Sequence, residues 1–143
     1  MATIVIASDH AGLALKKVLA AHLAEQGHEI VDLGTDSEAS CDYPVYAFKA
    51  CDEVLARGCL GVLICGSGIG MSMAANRVRG IRAALCTSEF HAVKSRAHND
   101  ANILCLGERI TGAGHAASIA DAFLAQEFEG GRHQRRVDLF DER

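Results

Sequence analysis

Short apolar runs alternate with helix-period segments along the whole chain, and that alternation leaves few folds open. Strand and helix in strict rotation build a parallel sheet, because each crossover needs an element long enough to carry the chain back to the same edge. Five such units are legible. Strand one runs from Thr3 to Ser8. A helix from about Gly12 to Gln26 follows, with Leu13, Leu15, Val18, Leu19, Ala21 and Leu23 along one side. Strand two is Glu29 to Leu33, and a polar loop then leads to Tyr43-Pro44, where proline suits the first turn of a helix reaching about Arg57. Strand three ends at Cys65, with a helix over Met71 to Arg77. Strands four and five are Arg82 to Cys86 and Ala101 to Leu106, with helices over Ser88 to Ala97 and Gly112 to Gln126. The expected fold class is α/β: a doubly wound, five-stranded parallel sheet with helices on both faces, a Rossmann-like three-layer sandwich.

At 143 residues the chain reads as one domain, residues 1–143. A chain of that size buries roughly 68–70% of its unfolded surface. The charged stretch from about 129 to 143 is expected to lie on the surface or reach toward a neighbouring subunit. No apolar run approaches the roughly 18 residues needed to span a bilayer, and the first residues lack the basic region and cleavage site of a signal peptide. No membrane association and a cytoplasmic location are expected. Six cysteines stand without a C-x-x-C pair, so reduced thiols are expected rather than a zinc site or a disulfide scaffold. A net charge of −4 argues against a nucleic-acid partner. The local run Arg132 to Arg136 could suit a single phosphate.

In an open doubly wound sheet, ligands bind at the carboxyl ends of the strands near the switch in strand order. That rule gathers Asp9 and His10 after strand one, Cys65 to Gly70 after strand three, and Arg109 past strand five. Cys65 is the chemical centre of the set. It leads into Gly66-Ser67-Gly68-Ile69-Gly70, whose glycines let backbone N–H groups approach a ligand, and a following helix adds positive potential. A helix N-terminus can lower a thiol from about 8.5 to roughly 3.5–7.5, enough for a base or nucleophile at neutral pH. Taken singly, each signal has a plainer reading. Cys65 could be a core cysteine, Asp9-His10 a helix cap, His98-Asn99-Asp100 a polar turn, and Arg132 to Arg136 a solvated face. His22, His28, His91 and His115 have no partner pattern and receive no role.

Other nucleotide and phosphate motifs fail at specific positions. A dinucleotide fingerprint needs glycine where the chain has Met71, and no Gly-Lys-Ser or Gly-Lys-Thr follows the turn as a P-loop requires. A phospho-acceptor receiver domain would want aspartate and lysine where Cys65 and Gly107 stand.

Six segments taken together, in order, resemble the ribose-5-phosphate isomerase B family. They are Ser8 to Gly12, Asp42 to Pro44, Ile64 to Gly70, Gly80 to Ala83, His98 to Asn102 and Glu129 to Arg136. The resemblance spans nearly the whole chain. It implies a metal-independent, cofactor-free aldose–ketose isomerase of a sugar phosphate, moving a proton between C2 and C1 through an enediolate. On this resemblance Cys65 is the base, His98 opens the sugar ring, and Asn99 is a substrate contact. Asp9 and His10 meet the ring and phosphate ends of the substrate, and Tyr43 borders the pocket. Gly66, Ser67, Gly68, Ile69 and Gly70 surround the developing oxyanion, while Arg109, Arg132 and Arg136 meet substrate and phosphate. A branch of the family that uses glutamate as base carries it where this chain has Met71. The substrate expected is ribose 5-phosphate. The alternatives are allose 6-phosphate, galactose 6-phosphate, a four-carbon tetrulose phosphate, or a non-catalytic sugar-phosphate-binding domain.

His98 and Asn99 precede strand five and so belong at the opposite strand end from Cys65. The site is therefore expected to be shared between subunits of a homodimer or homotetramer.

Overall fold

Alternation inside the three central strands builds a two-sided core. The computed structural model describes residues 1–143. In β1 (Thr3–Ser8), Ile4 and Ile6 face one side while Val5 and Ala7 face the other. The same period-two split separates Val62 and Ile64 from Leu63 and Cys65 in β3 (Leu60–Cys65), and Leu104 and Leu106 from Ile103 and Cys105 in β5 (Ile103–Gly107). Strands buried on both faces read as unbroken apolar runs because neither side meets water.

Helices cover both faces. On one side α1 (Leu13–Glu25), α4 (Glu89–Asn99) and α5 (Ala113–Ala125) contribute Leu15, Leu19, Leu23, Ala92, Ile119 and Phe123 to a cluster of 16 buried residues. On the other, α2 (Tyr43–Arg57) and α3 (Ile69–Ala75) complete a cluster of 13 with Ala47, Cys51, Val54 and Met71. Local chemistry sets the helix ends. Pro44 sits in the first turn of α2, Gly58 closes it in a left-handed conformation at φ 62°, and the Ser88 hydroxyl accepts the His91 N–H to start α4.

All strand pairings are parallel, and the order is β2-β1-β3-β5-β4, with β2 (Glu29–Asp32) and β4 (Ala83–Leu85) at the edges. The doubly wound α/β fold is as expected, with several boundaries moved. A 3-10 turn, His10–Gly12, precedes α1, and α3 begins two residues earlier than Met71. Strand five starts at Ile103 instead of Ala101, because Asn102 is spent bridging to Arg82: its side-chain oxygen accepts the Arg82 N–H at 2.8 Å. The last turn of α4 takes in His98 and Asn99, which are therefore helical. The charged C-terminal stretch contains a further helix, α6 (Arg132–Asp138), held to its own chain by buried Val137 and His133.

Candidate active site

β1 and β3 are neighbours whose connections leave toward opposite edges of the sheet, so the switch in strand order lies between them. A cleft of about 600 Å³ opens at their carboxyl ends. Asp9 and His10 enter it from β1, Cys65 to Ser67 with Ile69 and Gly70 from β3, Arg109 from beyond β5, and Tyr43 from the start of α2.

Asp9 performs two tasks. It is 94% buried by its own fold, being 6% exposed, and its Oδ1 accepts the N–H groups of Ala11 and Gly12 at 3.0 and 3.1 Å, capping the 3-10 turn. The helix-cap reading is thus correct, and the same residue also borders the cleft. His10 is oriented by a residue with no sequence signal: its Nδ1 accepts the Cys41 N–H at 3.2 Å, which leaves Nε2 to carry the ring proton.

Cys65 closes β3 with its Sγ against the turn. The Gly68 N–H donates to that sulfur at 3.2 Å, and the Ile69 N–H donates to Ser67 Oγ at 3.2 Å. Two amides of the turn are therefore directed at the thiol and the serine hydroxyl. Gly68 must be glycine: its φ is 79°, and a Cβ there would lie 2.6 Å from Leu85 Cδ1 and 2.9 Å from the Leu106 carbonyl carbon. Gly70 is required for a different reason, since a Cβ would fall 2.5 Å from the Tyr43 ring, which lies directly on the turn. The Arg109 guanidinium covers Gly66 closely, with Nη1 3.1 Å from where a Cβ would stand.

All six cysteines are free thiols. Burial, with a smaller contribution from Asp52, pushes the Cys51 thiol up to about 12. Burial likewise raises Cys86 to about 11, and it raises Cys105 well above the usual thiol range. These three stay protonated at neutral pH and serve as packing groups. Cys65 is the cysteine that opens into the cleft.

The remaining predicted residues lie elsewhere on the chain. His98 stacks on His133 with ring centroids 4.2 Å apart and 13° between planes, and Glu129 stands beside both. Burial first, then His98 and Arg132, pushes the His133 imidazole below the ordinary histidine value. Asn99 lines a separate hollow of about 380 Å³ with Asn76, Arg82 and Phe140. Arg132 and Arg136 stand exposed on α6. The Glu129 N–H donates to the Ala97 carbonyl at 3.0 Å, fastening this segment along α4. Ala11, Met73 and Ile110 complete the cleft and were not expected there; they are apolar, and nothing in their spacing separates them from core residues. The histidines given no role make surface contacts, His22 with Asp121 and His115 with Glu89.

The model of a family described as ribose/galactose isomerase matches residues 4–140. The chain belongs to the ribose/galactose isomerase family. Ribose-5-phosphate isomerase B of Escherichia coli K12 is 46% identical over 140 residues, which cover 96% of this chain and 93% of that protein. A crystal structure of a ribose 5-phosphate isomerase from Thermotoga maritima superimposes with a TM-score of 0.97 at 50% identity, covering 99% of this chain and 98% of the other. The structure of ribose-5-phosphate isomerase B from Mycoplasma genitalium with bound ribulose-5-phosphate matches with a TM-score of 0.92 at 48% identity, covering 96% and 93%. The protein is an enzyme of that family, an aldose–ketose isomerase acting on a sugar phosphate. No helix is long and apolar enough to cross a membrane.

Proposed function

We propose that this isomerase interconverts ribose 5-phosphate and ribulose 5-phosphate without a metal, with Cys65 as the base. The observation that carries the reading is the position of Cys65, lining the cleft with the Gly68 N–H 3.2 Å from its sulfur and Arg109 against the adjoining Gly66. The thiolate is the form of a cysteine that can take up a proton. The thiolate takes the C2 proton of the open-chain aldose, and the electron pair moves through C1 to leave an enediolate with its charge on O1. Returning the proton to C1, while the O2 proton passes to O1, gives the ketose. General-base catalysis is typically worth about 10²–10⁴-fold, and one well-placed donor at the oxyanion about 10²–10³-fold. Ser67 and the turn from Gly66 to Gly70 stand where such donors are needed.

Most of a pentose phosphate is cyclic, so a separate acid–base group must open the ring, and His98 is assigned to it. Within one chain His98, Asn99, Arg132 and Arg136 do not border the cleft, so they serve the site of a second subunit, where the arginines and His10 hold phosphate. Exposed apolar side chains support such pairing: Ile69, Met73 and Ile110 at the cleft, and Val45 and Phe48 on α2. A homodimer, or a homotetramer built from it, is the assembly, with the segment from about 129 reaching toward the neighbour's site. Asp9, Tyr43 and Arg109 position the sugar against Cys65.

Turnover on a panel of four-, five- and six-carbon aldose and ketose phosphates, with chelator present throughout, tests the substrate. Ribose 5-phosphate is expected to have the highest kcat/KM. A six-carbon or four-carbon substrate turned over tenfold better, or activity lost to the chelator, would overturn the assignment.

A further inference from the structure

His98, Glu129 and His133 bring one ligand atom each to a common point, all within 4.8 Å of one another. Glu129 Oε1 lies 3.8 Å from His98 Nε2 and 3.6 Å from His133 Nε2, too far for hydrogen bonds. Bonds of about 2.0–2.1 Å at tetrahedral angles place neighbouring ligand atoms about 3.3–3.4 Å apart. The two carboxylate–imidazole separations need to shorten by a few tenths of an ångström, and the partly exposed His98 ring has to turn out of its stack on His133 so that both lone pairs meet one ion. His133 supplies an independent sign. Its side chain is 8% exposed, and its Nε2, aimed at this point, has no hydrogen-bond partner. A buried polar atom without a partner costs about 1–3 kcal/mol, so such atoms are expected to face a ligand. Glu129, the carboxylate nearest both imidazoles, favours a cation at this point, against the charges of Arg132 and Arg136 that also reach His133.

The rest of the geometry suits a metal that binds from solution. Glu129 is half exposed and His98 one-third exposed, which gives an ion a path in, while buried His133 fixes the inner ligand. Two imidazoles and one carboxylate are a donor set that zinc accepts, with a fourth position left for water. The backbone already holds the ligands in place, because the Glu129 N–H is tied to the Ala97 carbonyl one residue before His98.

We propose that His98, Glu129 and His133 form a zinc site whose occupancy switches the isomerase off, by taking the His98 lone pair needed to open the sugar ring. The inhibitory part rests on the assignment of His98 to ring opening; the site itself does not. The loss should therefore be confined to substrates that cyclise.

Two measurements on the full-length protein test it. Zinc binding is measured by competition with a chromophoric chelator, using Cys65→Ala protein so that the cleft thiol cannot contribute. One zinc per chain is expected, with affinity reduced at least tenfold by Glu129→Gln and by His133→Ala. Turnover of ribose 5-phosphate by protein with Cys65 intact is then followed as zinc is added. Activity is expected to fall as the site fills, to return with EDTA, and to need at least tenfold more zinc in Glu129→Gln. No stoichiometric binding, or binding unchanged in Glu129→Gln, would overturn the site. Stoichiometric binding with full turnover on the cyclic substrate would leave the site standing and overturn both the inhibition and the role given to His98.

Discussion

The division of labour proposed for Cys65 and His98 follows from two very different surroundings. Cys65 sits 5% exposed at the end of β3, with an N–H directed at its sulfur. His98 sits one-third exposed on the last turn of α4, stacked on a second imidazole. A proton carrier for carbon must be held rigidly against its substrate, whereas a ring-opening acid–base must exchange protons with solvent between turnovers. His98→Asn is accordingly expected to lower kcat/KM about 10²-fold or more on cyclic ribose 5-phosphate. On an aldose phosphate too short to cyclise, the loss should be only a few-fold. Steady-state kinetics on the two substrates check this, and equal losses would give His98 another role.

Among the elements, the β1–β2 edge beside the site is held by a buried charge. Lys16 of α1 is 1% exposed and meets Asp32 Oδ1 at 2.6 Å, and that oxygen also accepts the Gly34 N–H at 2.9 Å. The Gly34 carbonyl in turn accepts the Ser8 N–H at 2.7 Å, immediately before Asp9. Removing one partner of a buried pair typically costs about 3–5 kcal/mol, and because Asp32 is partly exposed, Asp32→Ala should cost about 2–3 kcal/mol in urea unfolding. Lys16→Met should cost less than Asp32→Ala, because it leaves no charge buried: the Asp32 carboxylate that remains is partly exposed and still accepts the Gly34 N–H. None of this network is visible in the sequence, where Lys16 looks like one more polar residue on a helix. The central strands were legible because a strand buried on both faces has no polar positions to blur it. Sheet order was not, because the β4 and β5 runs give no sign of which is interior. The His98 turn of α4 looked like a loop because its exposed end is polar. Short α6 carries no periodic signal, since its order comes from docking Val137 and His133. In the cleft, the strand-end rule found Asp9, His10, Cys65 and Arg109, whereas Cys41 acts through its backbone N–H and could not be read from side-chain chemistry.

At the scale of the whole molecule, the proposed site falls into two parts that one chain does not bring together. The cleft holds Cys65, and the α4–α6 edge carries His98, Asn99 and the exposed arginines. Symmetric pairing that brings one edge to the other's cleft completes two sites at once. Mixing inactive Cys65→Ala with inactive His98→Asn protein, under conditions of proven subunit exchange, should restore about a quarter of wild-type activity, because half the dimers are hybrids with one intact site each. Full activity from a monomer, or no recovery, would exclude a shared site. The central claim, that this enzyme isomerises a sugar phosphate by proton transfer at Cys65, meets its most direct test in proton NMR of ribose 5-phosphate in deuterated water with EDTA present. Wild-type protein should replace the C2 proton with deuterium as ribulose 5-phosphate forms, and Cys65→Ala, still folded and still binding phosphate, should do neither. Exchange by Cys65→Ala within a few-fold of wild type would contradict the account.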